Sequence, residues 1–178
     1  MRHFYYTAIT VIILPLFFVF PPAHAAYGSL FRVTEVNDGD TVTIRAKSFA
    51  GIPLKTERVR LIGIDAPELR QEPWGRRSKC HLKKLLSKSN WVVEVEYDID
   101  RRDKYGRLLG YLWGRDGRML NERQVEAGMA VPYTFAPNVK YVERFADAQK
   151  RAKARKYGFW KEGGLTEAPR YWRKSHPR

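Results

Sequence analysis

Cysteine is nearly absent. Cys80 stands alone in 178 residues, so no internal disulfide can form and stability must come from packing, with whatever a bound ion adds. Histidine is almost as scarce, with four in all, and two of these, His3 and His24, fall in the N-terminal stretch. That leaves His81 and His176 beside one thiol, too few nitrogen and sulfur ligands for a zinc centre. His81 has no partners for a triad and reads, like Cys80, as an ordinary helix residue. Acids are outnumbered, 19 against 33 Lys and Arg, giving a formal charge of +14. Such a field attracts nucleic acid, acidic polysaccharide or anionic lipid, and charge alone does not choose among them. Internal repeats and low-complexity tracts are missing, which excludes a solenoid.

Long hydrophobic runs are also missing, with one exception. Phe4 to Phe20 carries no charge, follows the basic start Met1-Arg2-His3, and is followed by Pro21-Pro22 and the small-x-small triplet Ala23-His24-Ala25. This pattern predicts a secretory signal peptide over 1–25, cut after Ala25. The alternative is a retained anchor, although the run is slightly short of the roughly 20 residues that span a bilayer. The expected destination is the periplasm or the medium, with no stable membrane association once the signal is cut. One domain over 26–162 and a loose basic tail over 163–178 complete the chain. No signal points to an obligate oligomer, so a monomer is expected.

Alternating apolar residues predict strands over 30–36 and 41–46, joined by an Asp38-Gly39 turn. Further strands are expected over 56–64, 91–98 and 108–113. Helix spacing of Leu82, Leu85 and Leu86 predicts a helix over 76–89. Asn121 with Gln124 resembles the N-cap pair of a short helix ending at Gly128, and Asn138 resembles the cap of a last helix ending before Gly158. Five short strands with a helix between the third and fourth predict an α+β fold, a five-stranded OB-type β-barrel carrying three helices.

The third strand ends abruptly. Arg60-Leu61-Ile62-Gly63-Ile64 leads into Asp65-Ala66-Pro67-Glu68, and Pro67 cannot continue a ladder. Asp65 and Glu68 therefore belong at a strand end, near the acidic turn Asn37-Asp38-Gly39-Asp40-Thr41. Carboxylates at strand ends offer hard oxygen ligands for a cation such as Ca²⁺. Arg60 lies in the same strand to meet an anion. An ion, a guanidinium and a spare carboxylate are what phosphodiester hydrolysis requires. Each motif alone is equally well a turn or a solvated loop; together they make a site.

Asp38-Gly39-Asp40-Thr41, then Arg60-Leu61 through Asp65-Ala66-Pro67-Glu68, then Asp103-Lys104-Tyr105-Gly106-Arg107 resemble the three motifs of the staphylococcal nuclease family, in that family's order. The resemblance runs from about Leu30 to Trp160. It implies a Ca²⁺-dependent endonuclease acting on DNA and RNA with little sequence preference and leaving 3′-phosphate ends. By position it implies Asp40 and Asp65 as metal carboxylates, with the Ala66 carbonyl as a further ligand. It implies Glu68 as general base or orienter of water, Arg60 and Arg107 on the scissile phosphate, and Asp38 behind the metal ligands. Lys104, Tyr105 and Tyr133 correspond to the nucleotide pocket, and Phe135 stands where a second pocket tyrosine is expected. The competing expectation is a non-catalytic OB module that only binds nucleic acid or another polyanion.

Overall fold

A computed structural model describes residues 30–46, 55–161 and 164–177. The expected signal peptide lies outside the described residues. Five strands close a barrel in the order β1 (Leu30–Val36), β2 (Thr41–Ala46), β3 (Thr56–Leu61), β6 (Leu108–Trp113), β5 (Val92–Glu96), and β5 returns to β1. All neighbours are antiparallel except β3 and β6, which run parallel with Arg60 opposite Leu109. Val42, Ile44, Val59, Leu61, Val93, Val95 and Leu112 fill the interior at 3% exposure or less, the alternation the sequence predicts.

The expected third strand over 56–64 is divided in the structure. β3 stops at Leu61, and β4 (Ile64–Asp65) leaves the barrel to pair with β7 (Val131–Pro132). Gly63 makes the break: its φ is +78°, and a Cβ there would lie 2.1 Å from the Phe145 ring. Only glycine combines that backbone with that contact. The division aims Asp65 out of the barrel wall while Leu61 stays inside it.

Among the described residues four α-helices accompany the barrel, where three were expected. α1 (Trp74–Lys88) buries Leu82, Leu85 and Leu86, the spacing that predicted it. α2 (Leu120–Glu126) begins one residue earlier than its expected cap, with Met119 at the N-cap. Asn121 and Gln124 are not caps. Both are fully buried, and their amides satisfy backbone groups in the core: Asn121 accepts from Leu112 N–H at 2.9 Å and donates to the Ile62 carbonyl at 2.9 Å. α3 (Val142–Ala154) buries Phe145, Ala148 and Ala152 as expected, but its N-cap is Tyr141. Asn138 instead bonds both the N–H and the carbonyl of Asp100. In each case a buried amide bonds a backbone group distant in sequence instead of capping its helix. A 3-10 turn, Gly158–Trp160, follows. The fourth helix, α4 (Pro169–Ser175), falls in the stretch expected to be a loose tail. Pro169 at its first turn supplies a preset φ and is itself buried.

Candidate active site

The turn between β1 and β2 is pinned from three directions. Asp38 Oδ1 accepts the Asp40 N–H at 3.0 Å, a side-chain turn that holds Asp40 inward. Gln124 Nε2 donates to the Gly39 carbonyl at 2.6 Å. A Cβ at Gly39 would fall 2.0 Å from Ser78 Oγ and 2.6 Å from the Ala66 methyl, so α1 and the Asp65–Glu68 segment press directly on the turn. Substituting any larger residue would lift the acidic turn off both.

Asp40 is 6% exposed and Asp65 1%. Asp40 Oδ2 accepts the Ala66 N–H at 2.6 Å and lies 2.9 Å from Arg60 Nη1. Arg60 Nη2 reaches Asp65 Oδ1 at 3.2 Å. One guanidinium thus spans the two buried carboxylates expected as metal ligands, and the Ala66 backbone sits between them. Burial pushes the Asp40 carboxyl up to about 8, aided by Asp38 and Asp65 and opposed by Arg60 and the Ala66 N–H. Burial outweighs the Arg60 guanidinium here, so Asp40 holds its proton more readily than an ordinary carboxylic acid.

A second cation reaches the cluster from Arg173 of α4, a residue the sequence reading missed. Its Nη2 lies 2.9 Å from Asp65 Oδ2, and its Nη1 is 3.0 Å from both Asp65 Oδ1 and Glu68 Oε1. A shared nitrogen places Glu68 immediately beside Asp65. Asp38, Asp40, Arg60, Asp65, Ala66 and Glu68 are therefore brought together, as their positions at strand ends predict. Among the described residues no group of three or more His, Cys, Asp or Glu is arranged as a ready-made metal site. Guanidiniums, not open space, separate these carboxylates.

The third motif is close in the fold but turned on itself. Arg107 precedes β6, two residues before the partner of Arg60. Its Nε and Nη2 clasp Asp103 Oδ2 at 2.8 and 2.7 Å. Burial raises the Asp103 carboxyl, and the bonds from the Arg107 side chain and backbone more than reverse this, so it titrates below its ordinary value. Tyr105 is 74% exposed, with the Lys104 ammonium 5.1 Å and the Arg107 guanidinium 5.7 Å from its ring centre. Tyr133 donates its N–H to the Gly63 carbonyl at 3.0 Å, two residues beyond the strand partner of Asp65. Phe135 is exposed. The only weak sequence signal for Arg173 was Pro169 opening a basic, aromatic run; nothing in that run named its partners.

A model of the family described as Staphylococcal nuclease homologue matches residues 58–162. The chain belongs to the staphylococcal nuclease family. This member is 35% identical over 136 residues to the thermonuclease of Staphylococcus hyicus, covering 73% of the chain and 75% of the relative. It is 36% identical over 138 residues to the thermonuclease of Staphylococcus intermedius, covering 75% and 77%. An uncharacterized endonuclease of Escherichia coli O157:H7 is 34% identical over 145 residues, covering 80% and 83%. The family match ends before α4, so Arg173 lies beyond the matched residues.

Proposed function

We propose that this chain is an exported, Ca²⁺-dependent endonuclease that hydrolyses DNA and RNA with low sequence preference and leaves 3′-phosphate ends. The broader class, a hydrolytic nuclease, follows from the family and from relatives named thermonuclease and endonuclease. One observation carries the finer reading. Two nearly inaccessible carboxylates, Asp40 and Asp65, flank one backbone segment, with Glu68 beside them and Arg60 across both.

The donors fit a hard cation. Asp40, Asp65 and the Ala66 carbonyl are all oxygen, the ligand class Ca²⁺ takes. Asp40 is shielded from water and fixed by Arg60 and the Ala66 N–H, so its carboxylate is already placed beside that backbone segment. When bound, the ion would polarise a phosphate oxygen and neutralise charge gathering on it. The remaining work falls to side chains. Glu68 accepts a proton from the attacking water, or at least orients it in line with the P–O5′ bond. As the water oxygen bonds to phosphorus that bond breaks, the 5′ oxygen takes a proton from solvent, and the phosphate stays on the 3′ side. Arg60 and Arg107 hold the non-bridging oxygens through planar, paired N–H groups, a geometry lysine cannot copy. For this Arg107 exchanges Asp103 for phosphate. Asp38 keeps the turn that presents Asp40. Tyr105, Lys104 and Tyr133 offer a ring, a cation and a second ring to the nucleotide.

The assay is direct. The protein is incubated with plasmid DNA and with RNA, in Ca²⁺ and in chelator, beside Glu68→Gln. Both substrates should be cut internally in Ca²⁺ only, and Glu68→Gln should lose ~10²–10⁴-fold in rate. Retarded but uncut DNA in Ca²⁺ would mean a binding module instead.

A further inference from the structure

Arg173 does something the nuclease domain alone does not require. Asp65 has two carboxylate oxygens, and Arg173 contacts both, at 3.0 and 2.9 Å, while also reaching Glu68. Arg60 shares Oδ1. With Arg173 in place Asp65 is only 1% exposed. The contact is not the chance reach of a stray side chain. Gln71 Nε2, in the loop after Glu68, donates to the Glu167 carbonyl at 2.6 Å just ahead of α4, and Pro169 is buried. Ser175 bonds back to Glu167 and closes the segment. α4 is docked on the loop that carries the proposed base.

We propose that α4 is an inhibitory strap: in the ion-free protein Arg173 takes the place of the divalent cation on Asp65 and covers Glu68, and an ion together with a phosphodiester displaces it. This inference rests on the reading of Asp65 and Glu68 as ion ligand and base. Asp65 shows why the two cations are alternatives. Arg173 reaches both of its oxygens and Arg60 shares one, so a divalent ion gains Asp65 as a ligand only where Arg173 gives it up. A phosphate backbone completes the exchange, because it offers the released guanidinium an anion of equal or better fit. Arg remains protonated at every accessible pH, so proton uptake cannot open the strap. Release has to be driven by competing ions.

The test compares Ca²⁺ affinity, by calorimetry without nucleic acid, in the protein, Arg173→Ala and Arg170→Ala. Arg170 sits on the same helix over the Tyr171 ring, 5.0 Å from its centre, so its removal subtracts the same charge without touching Asp65 or Glu68. Arg173→Ala should bind Ca²⁺ at least ~10-fold more tightly, the order expected when a charge-assisted pair no longer competes. Arg170→Ala should stay within about 2-fold, since an exposed charge is largely screened. Hydrogen exchange at the amides of 171–176 should rise in the unmodified protein when Ca²⁺ and a mononucleotide together saturate it. Equal affinity in all three proteins, an equal gain from Arg170→Ala, or unchanged exchange at saturation would each overturn the strap alone. Absence of Ca²⁺ binding from all three would overturn the ion reading and the strap with it.

Discussion

Arg60 holds two carboxylates that water barely reaches. Its guanidinium is 15% exposed, against 8% for the Asp40 side chain and 1% for that of Asp65. Removing it leaves two buried acids facing each other. Arg60→Ala should therefore destabilise the ion-free protein by about 3 kcal/mol in urea unfolding, besides abolishing cleavage. An unchanged midpoint would mean that the acids are solvated after all. This residue set was legible because its members lie at strand ends, where alternation stops and Pro67 forbids continuation. The resemblance assigns Arg107 to the phosphate, yet its own loop gives it Asp103, a local contact that motif spacing does not foretell. Arg173 was not legible. It lies more than a hundred residues from Asp65, and seven helical residues leave little periodicity to read. Its charge resembles that of every other base in the tail.

Elements position these residues through buried amides more than through caps. Asn121, fully buried, ties α2 to the Leu112 N–H of β6 and to the Ile62 carbonyl where β3 ends. Asn121→Ala orphans both groups and should cost about 2–4 kcal/mol, read as a lower unfolding midpoint, whereas a helix-cap loss would cost about 1. Gln124 joins α2 to the acidic turn and to His81 of α1. Burial, with Arg123, Lys84 and Lys88 nearby, holds the His81 imidazolium below its ordinary value near 6.5, the Gln124 bond only partly opposing this. The unfolded chain then binds the proton more readily, so stability should fall as pH drops through and below 6.5. Urea midpoints between neutral and mildly acid pH measure it, and His81→Gln should flatten that part of the profile. The barrel strands and α1 were readable because burial on one face imposes a period. The split of β3 from β4 was not, since Ile62 and Ile64 are both apolar and the break depends on Phe145, distant in sequence. Asn121 and Gln124 looked like caps because the same side chains serve helix ends and core carbonyls alike.

At the scale of the molecule, the chain carries a formal charge of +14, a field that attracts polyanions. Under the proposed function that field would gather substrate, and the buried carboxylates would hold the ion. Binding of DNA to Glu68→Gln should weaken about 10- to 100-fold between ~50 and ~200 mM salt, as counterion release demands for a few phosphate contacts. A flat salt profile would place recognition elsewhere than on phosphate. Among the described residues no helix is long and apolar enough to cross a membrane. The barrel supplies the rigid end on which the β1–β2 turn, β3 and β4 present Asp40, Arg60 and Asp65, and α4 reaches that end from the far side of the sequence. The most direct measurement of the whole account is a crystal structure grown with Ca²⁺ and a mononucleotide. The account predicts the ion about 2.3–2.6 Å from oxygens of Asp40, Asp65 and the Ala66 carbonyl, with phosphate on Arg60 and Arg107 and with Arg173 withdrawn from Asp65. An ion bound away from Asp40 and Asp65, or a phosphate that leaves Arg107 clasped to Asp103, would contradict it.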